Sequence, residues 1–266
     1  MPLNLELVLA GLAVGFLIGS TGMGAGSLMA PILITIFNVP AVAAVGTDLL
    51  YSAGTKLVGG VRHLQLNTVH RELGLYMALG SVPASVLGVY TLHRLAASQG
   101  AQIQDDLKKV IAWALILVAI AVAVRTFMTL RAVYTDNMPK DGPLNRRHRV
   151  LAIVIGLVFG FVFGITSVGA GAFFGMSLLL LFPLSTLRVV GTDLFHGAIV
   201  TIAAAAAAWI FLPSIHLSSI GFLMLGSVPG ILVGAQVSVK LPDKALRGSL
   251  SAVLAFSGLK LLGLIG

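Results

Sequence analysis

Glycine and hydroxyl residues interrupt the first long apolar stretch of the chain at residues 20–27, which read STGMGAGS, and again at 166–172, which read TSVGAGA. A broken helix exposes backbone N–H groups, and the N-terminal end of the next helix carries about half a positive charge. An oxyanion can bind such groups without a fixed cation. The alternative interpretation is close helix packing by small residues. The predicted anion site comprises Ser20, Thr21, Gly22, Gly24, Gly26, Thr166, Ser167, Gly169 and Gly171.

Two carboxylates also lie inside apolar stretches. Asp48 and Asp193 each belong to a VGTDL sequence, in which Thr47 and Thr192 precede them. An intramembrane carboxylate is costly unless it is protonated or paired. The two VGTDL sequences therefore predict either a proton relay for coupled transport or, as GTD is typical of an N-cap, a pair of helix caps.

Lys56 and His196 are the remaining candidates in apolar stretches. Lys56 is six residues from Arg62, about 9 Å along a helix, so it either snorkels to the surface or provides an intramembrane cation for an anionic substrate. His196 follows Asp193 by three residues on the same helical face. It is either a core histidine or a proton acceptor.

The composition indicates that these residues lie in a membrane. Of 266 residues, 58% are hydrophobic and 10% are charged, whereas soluble domains carry about 25% charged residues. The net charge of +8 lies mostly between the apolar segments, as expected for a membrane protein rather than a nucleic-acid-binding one. The chain has no cysteine, and we predict neither a metal site nor a cofactor. Eight apolar segments are predicted, at residues 3–37, 41–61, 72–95, 107–131, 150–182, 185–212, 216–239 and 245–265.

The two halves of the chain repeat each other. At an offset of 145, residues 19–50 match 164–195 at twelve of 32 positions, and LGSVP at 79–83 recurs at 225–229. Lys56 and His196 break the repeat, because their counterparts are Thr201 and Tyr51. We expect a first repeat at 1–134, a cytoplasmic linker at 135–149 and a second repeat at 150–266. The first segment of each repeat is too long for one span, so it should fold as a broken helical hairpin.

The distribution of basic residues predicts the topology. If the first segment of each half is a hairpin, the halves become inverted, and twelve Lys/Arg fall inside against four outside, in agreement with the positive-inside rule. We therefore expect an all-α polytopic protein of two inverted four-segment repeats, with both termini on the periplasmic side. The inside residues are Arg62, Arg71, Arg125, Arg131, Lys140, Arg146, Arg147, Arg149, Arg188, Lys240, Lys244 and Arg247.

The paired glycine interruptions, the two VGTDL sequences and the two GSVP sequences resemble the TauE/SafE (TSUP) family of sulfite exporters. The resemblance covers nearly the whole chain. It implies a transporter in the bacterial inner membrane for small anions that often contain sulfur, such as sulfite or an organosulfonate like sulfoacetate. The second interruption departs from the first, since Ser167 stands where the first half has Gly22, so the two halves of the site need not be equivalent.

The functional prediction is a secondary transporter, not an enzyme, that binds the anion between the two helix breaks, works by alternating access and uses protons if it is coupled. A small-anion channel and a cation/proton antiporter that uses Asp48 and Asp193 are the alternatives. A serine hydrolase built on Ser167 and His196 is disfavoured, because no Gly-x-Ser-x-Gly sequence occurs. Membrane lipid is the expected surrounding, nucleic acid is not expected as a partner, and a homo-oligomer is compatible with the sequence.

Overall fold

The computed structural model describes residues 4–21, 28–133, 144–212, 215, 217–238 and 243–265. Every regular element in these ranges is an α-helix, and they contain no strand. The ten helices are α1 (Asn4–Thr21), α2 (Met29–Thr35), α3 (Ala41–Gln65), α4 (Arg71–Gln99), α5 (Gln102–Val133), α6 (Arg146–Thr166), α7 (Ala172–Leu181), α8 (Thr186–Phe211), α9 (Leu217–Ser238) and α10 (Asp243–Leu261).

Each predicted apolar segment corresponds to one helix or to a broken pair. Five helices are long and apolar enough to cross a membrane, namely α4, α5, α6, α8 and α9 over residues 71–99, 102–124, 146–166, 188–211 and 217–234. Large apolar side chains cover the outside of the bundle, such as Val58 and Ile210, which are each 70% exposed. An outer surface of this kind is stable against lipid and not against water. The protein is a polytopic membrane protein.

In the second half, the chain folds back at the glycine interruption. Asn145 caps the start of α6 by accepting the His148 backbone N–H at 2.9 Å, and α6 ends at Thr166. The ring of Phe159 in α6 stacks on Phe173 at the start of α7, with 5.0 Å between centroids. His148, at the start of α6, lies 5.7 Å from Phe182, just after α7. The contacts run in opposite order along the two helices, so α7 returns antiparallel to α6.

In each half, one helix packs against a helix of the other half, across an interface lined by glycines. Helix α1 packs on α9, and its repeat counterpart α6 packs on α4. Gly160 of α6 approaches the backbone of Ser81 so closely that a Cβ would lie 2.6 Å from its Cα. The counterpart Gly15 of α1 makes the same approach to Ser227 of α9, at 2.7 Å. Small residues at such positions let helix backbones meet in a membrane.

The counterpart helices α3 and α8 pack against each other in antiparallel fashion. Contacts join Gly46 to Leu212, Lys56 to Gly197 and Gly59 to Leu194, so the residue numbers rise on one helix as they fall on the other. Helices α5 and α10 behave alike, since Ser251 Oγ donates to the Ala119 carbonyl at 2.9 Å and Gly258 meets Ala112. These two pairs form the centre and one flank of the bundle.

Close glycine packing predicts a large difference in stability between two substitutions in α9. A Cβ at Gly226 would overlap the Val8 carbonyl of α1, whereas nothing lies within 4 Å of a Cβ at Gly221. We expect Gly226→Ala to lower the melting temperature of the detergent-solubilised protein by roughly 5–10 °C, because overpacking costs about 1–3 kcal/mol. Gly221→Ala is the matched control and should melt within about 1 °C of the wild type. Equal melting of the two variants would contradict the α1–α9 packing.

Candidate functional site

Four buried ionisable residues meet where α3 and α8 pack together: Asp48 and Lys56 on α3, and Asp193 and His196 on α8. None is more than 4% exposed. Lys56 is electrostatically coupled to Asp193 most strongly and to Asp48 as well. Since the two helices are repeat counterparts that run in opposite directions, each contributes its VGTDL carboxylate to the same interior.

Asp48 makes hydrogen bonds with the second helix break and with the start of α2. Its Oδ2 accepts a hydrogen bond from Ser167 Oγ at 2.7 Å, and its Oδ1 accepts one from Ser52 Oγ at 3.3 Å. The backbone N–H of Ala30, in the first turn of α2, also donates to this carboxylate.

Asp48 lies inside α3, whose N-cap is Pro40, and Asp193 lies inside α8, whose N-cap is Ser185, so neither carboxylate is the N-cap of its own helix. The Ala30 contact is the one backbone N–H bond described for Asp48, and its role as a proton relay stays a prediction.

The hydroxyl groups at the second helix break bind other parts of the protein. Thr166 Oγ1 donates to the Val162 carbonyl at 2.7 Å and accepts the Val168 N–H at 3.1 Å. Ser167, with φ at 56°, donates its backbone N–H to the Phe163 carbonyl at 2.7 Å. These contacts occupy the Thr166 and Ser167 hydroxyls and also the backbone N–H groups of Ser167 and Val168, so the role of this break as a donor set for a ligand stays a prediction.

Glycine is required within this break. Gly169 has φ at +95°, and a Cβ there would overlap the ring of Phe173. Gly171 occupies the N-cap position of α7, and its carbonyl accepts the Gly175 N–H at 3.2 Å. The glycines thus provide both the turn and the close approach of its backbone.

In the first half, less of the predicted site can be described. Gly22, Gly24 and Gly26 lie outside the described residues, as does the side chain of Thr21. Ser20 is buried and donates through Oγ to the Leu17 carbonyl at 3.3 Å. The contribution of the first break to an anion site therefore stays a prediction.

The threonines of the two VGTDL sequences have different partners. Thr47 Oγ1 donates to the Ala43 carbonyl of its own helix at 2.8 Å. Thr192 Oγ1 instead accepts the His70 backbone N–H at 2.9 Å. Thr192 therefore ties α8 to the turn that precedes α4, whereas Thr47 makes only a local contact.

Lys56 points into the protein rather than to its surface. Its ammonium nitrogen is buried and has no hydrogen-bond partner among the residues that the structure describes. The nitrogen lies 5.5 Å from the centroid of the Phe163 ring, a favourable but weak contact for a cation. A buried ammonium without hydrogen bonds is costly, and the charges coupled to Lys56 are those of Asp193 and Asp48.

A mostly apolar cleft of about 330 Å³ between α1, α3 and α9 has Lys56 in its lining, together with Val58 and Leu232 of the exposed apolar surface. Thr55, Gly59, Arg62 and His63 of α3 line it together with Lys56. The sequence did not single out Arg62 or His63 as site residues; the available signal was their spacing from Lys56, which places all three along one helix.

The helices that flank α3 and α8 pack differently in the two halves. Helix α4 packs along much of α8, whereas its repeat counterpart α9 touches α3 only sparsely. Val200 and Ala204, the counterparts of Thr55 and Gly59, are accordingly fully buried. The two halves thus differ in packing, since α9 leaves part of α3 uncovered and α4 covers α8.

Two matching hydrogen bonds join the halves beside the ionisable cluster. Tyr51 OH and Ser227 Oγ are 2.7 Å apart, and so are His196 Nε2 and Ser81 Oγ. Tyr51 and His196 are repeat counterparts, as are Ser81 and Ser227. The sequence analysis did not predict these bonds between the repeats, although the recurrence of VGTDL and LGSVP in both halves was a signal for them.

No group of three or more metal-ligating side chains occurs in the part of the chain that is described. The cluster therefore offers an amine, an imidazole, two carboxylates and backbone N–H groups, enclosed by apolar side chains. Such an arrangement can bind and release a small charged solute. Ser81 and His196 form a hydroxyl–imidazole pair, but within the described residues no carboxylate bonds to His196 Nδ1, as a Ser-His-Asp triad would require.

Comparison with known proteins agrees with a transport role. The family described as sulfite exporter TauE/SafE matches residues 7–261. The probable membrane transporter protein YjnA of Bacillus subtilis (strain 168) is 35% identical over 98% of this chain and 100% of its own length. YdhB of the same organism, also named a probable membrane transporter protein, is 23% identical over 96% of this chain and 99% of its own. No solved structure matches the chain. The chain therefore belongs to the sulfite exporter TauE/SafE family, whose members are membrane transporters and not enzymes.

Proposed function

We propose that the protein is a secondary transporter for a small sulfur-containing anion, either sulfite or an organosulfonate such as sulfoacetate. The observation that carries this proposal is the buried ammonium group of Lys56, which has no hydrogen-bond partner among the described residues and belongs to a residue that lines a cleft. An oxyanion satisfies such a group fully, through a charge-assisted hydrogen bond. The backbone N–H groups of the helix breaks complete the donor set in this proposal.

The transport mechanism in this proposal is alternating access by two inverted repeats. Its support is the antiparallel packing of the counterpart pairs α3–α8 and α5–α10, because only an inverted relation makes counterpart helices run in opposite directions. The parallel packing of α1 on α9 and of α6 on α4 agrees with the same two-fold relation. The open cleft along α3 and the closed packing along α8 would exchange during transport.

We further propose that the protein lies in the bacterial inner membrane with its basic end in the cytoplasm and both termini in the periplasm. Contacts gather several basic positions at one end of the bundle. Arg149 at the start of α6 forms an ion pair with Glu72 at the start of α4, at 3.0 Å. Thr68, between α3 and α4, meets Gly191 near the start of α8. This end therefore carries Arg62, Arg71, Arg149 and Arg188, as the positive-inside rule expects of a cytoplasmic surface.

Protons are the coupling ion in this proposal. The cluster holds one lysine and two carboxylates, all electrostatically coupled, so the arrival of an anion adds a negative charge to a buried site that already holds two carboxylates. Protonation of one carboxylate offsets that charge at low cost. Anion entry should therefore be accompanied by proton uptake at Asp48 or Asp193.

The test is flux of labelled sulfite into proteoliposomes that contain the purified protein, with and without a pH gradient. We expect saturable uptake that excess sulfoacetate suppresses and that excess acetate does not. An inside-alkaline gradient should raise the initial rate, because inward proton movement then drives the anion.

The same assay distinguishes the alternative functions. Flux that does not saturate would identify a channel, and flux that requires a sodium gradient would identify cation coupling. Absence of flux above that of empty liposomes, for protein shown to be folded and inserted, would exclude sulfite as the substrate. The inhibition of labelled sulfite uptake by excess sulfate tests whether the site distinguishes a pyramidal anion from a tetrahedral one.

A further inference from the structure

Two of the differences between the halves of the site place a nitrogen-containing side chain opposite a hydroxyl-containing one. Lys56 replaces the threonine found at its counterpart, Thr201. His196 replaces the tyrosine found at its counterpart, Tyr51. Thr201 is fully satisfied within its own helix, since its hydroxyl donates to the Gly197 carbonyl at 2.7 Å. Lys56 of α3 and His196 of α8 lie at the same end of the α3–α8 pair, because Lys56 packs against Gly197. The two extra nitrogen-containing groups are therefore at that end only.

His196 keeps the hydrogen bond of its counterpart and has one polar atom left over. The bond from Tyr51 to Ser227 uses the single polar atom of the tyrosine. The bond from His196 to Ser81 uses Nε2, which leaves Nδ1 buried and without a hydrogen-bond partner among the described residues. The imidazole ring itself is fixed edge-on against Phe174, with 4.4 Å between centroids.

The two unpaired nitrogens belong to neighbouring parts of the α3–α8 interface. The Lys56 side chain lies against Gly197, the residue after His196, with its Nζ 3.7 Å from the position of a Cβ there. Lys56 and His196 are also electrostatically coupled. Aromatic rings border both groups, because Lys56 lies over Phe163 and His196 packs on Phe174. Asp48 and Asp193 are the other charged groups in reach of Lys56.

We propose that Lys56 and His196 together form a one-sided binding site for an oxyanion, with Nδ1–H of His196 as the second donor. This inference rests on the proposed function and assigns a substrate-binding role to His196. When Ser81 Oγ donates to Nε2, the neutral imidazole carries its proton on Nδ1 and can donate it. The ligand class is a small oxyanion with at least two acceptor oxygens, such as sulfite or the sulfonate group of sulfoacetate, which one amine and one imidazole can bind together.

The test replaces His196 with the residue that the repeat provides. His196→Tyr can keep the bond to Ser81 through its hydroxyl and loses Nδ1. Sulfite and sulfoacetate are titrated into the purified, detergent-solubilised protein by isothermal calorimetry. We expect affinity to fall roughly 10- to 100-fold, the usual effect of one lost hydrogen bond to a charged group. His196→Gln serves the same purpose if tyrosine does not fit against Phe174, because its amide reaches the position of Nε2 alone.

Two further variants separate ligand binding from structural support. The amide of His196→Asn lies near the position of Nδ1 and cannot reach Ser81, so this variant should keep affinity within about threefold of the wild type. Ser81→Ala removes the hydrogen-bond partner of His196 Nε2. It should lower the free energy of unfolding by more than it weakens the free energy of binding. Wild-type affinity in His196→Tyr and His196→Gln would overturn the inference and leave the proposed function intact. Absence of binding by the wild-type protein would overturn both.

Discussion

Replacing Lys56 by threonine should reduce saturable sulfite flux at least ~30-fold, because the loss of one partner of a buried charge pair costs about 2–5 kcal/mol and each 1.4 kcal/mol is tenfold. Threonine is the residue that the second repeat carries at the counterpart position, Thr201. Its hydroxyl can bond within its own helix, as Thr201 does. The variant therefore removes the ammonium group without introducing a side chain foreign to this architecture. The measurement is the initial rate of labelled sulfite uptake into proteoliposomes, at equal amounts of inserted protein.

The competing role for Lys56 is to neutralise a carboxylate, since its strongest electrostatic partner is Asp193. The double variant Lys56→Thr/Asp193→Asn separates the two roles. If Lys56 binds the anion, the double variant stays inactive, because the cation is still missing. If Lys56 only balances the carboxylate, removing both charges restores flux, and that outcome would contradict the anion-binding role.

Lys56→Arg is the matched control for charge. It keeps the cation but places a wider planar group against Gly197, where the lysine Cδ already lies only 3.3 Å from the position that a Cβ would occupy. We expect intermediate flux, below the wild type and above Lys56→Thr. The order of the three proteins therefore reports charge and fit separately.

The positions of the helices could be predicted from sequence because each is set by local composition. The apolar segment predicted at 185–212 is α8 at Thr186–Phe211, and the segment at 41–61 is α3 with one further turn. The break between α6 and α7 falls at the predicted glycines because Gly169 adopts φ at +95°, which other residues rarely do. Apolar length and backbone freedom are properties that single segments carry by themselves.

The composition of the site could not be predicted in the same way, because its contacts join distant residues. Ser167 and Asp48 are 119 positions apart, and no local pattern links them. The bonds from Tyr51 to Ser227 and from His196 to Ser81 join residues that are 176 and 115 positions apart, one in each half. The sequence left open whether Lys56 points into the protein or to the membrane surface, because it is only six residues from Arg62 at the predicted end of the span. The packing of α3 on Gly197 of α8 directs Lys56 inward.

The last prediction concerns the exchange of conformations, which the repeat makes testable by paired cysteines. Thr55 lines the open cleft along α3, and its counterpart Val200 is fully buried beneath the closed packing along α8. The chain has no native cysteine, so Thr55→Cys and Val200→Cys each introduce a single thiol of similar size to the residue replaced. We expect Thr55→Cys to react at least roughly tenfold faster with an anionic, membrane-impermeant methanethiosulfonate reagent, because only its position is open in this state.

Alternating access requires that the two reactivities change in opposite directions when transport runs. With sulfite and a pH gradient present, Thr55→Cys should become less reactive and Val200→Cys more reactive, since closing along α3 accompanies opening along α8. The two thiols should also be labelled from opposite sides of the membrane, Thr55→Cys from the side of Arg62 and Val200→Cys from the other. Complete labelling of Thr55→Cys should abolish flux, because the modified side chain fills the cleft that Lys56 lines. A parallel rise or fall of both reactivities would mean that the halves move together, and a rigid pore that leaves both unchanged would identify a channel.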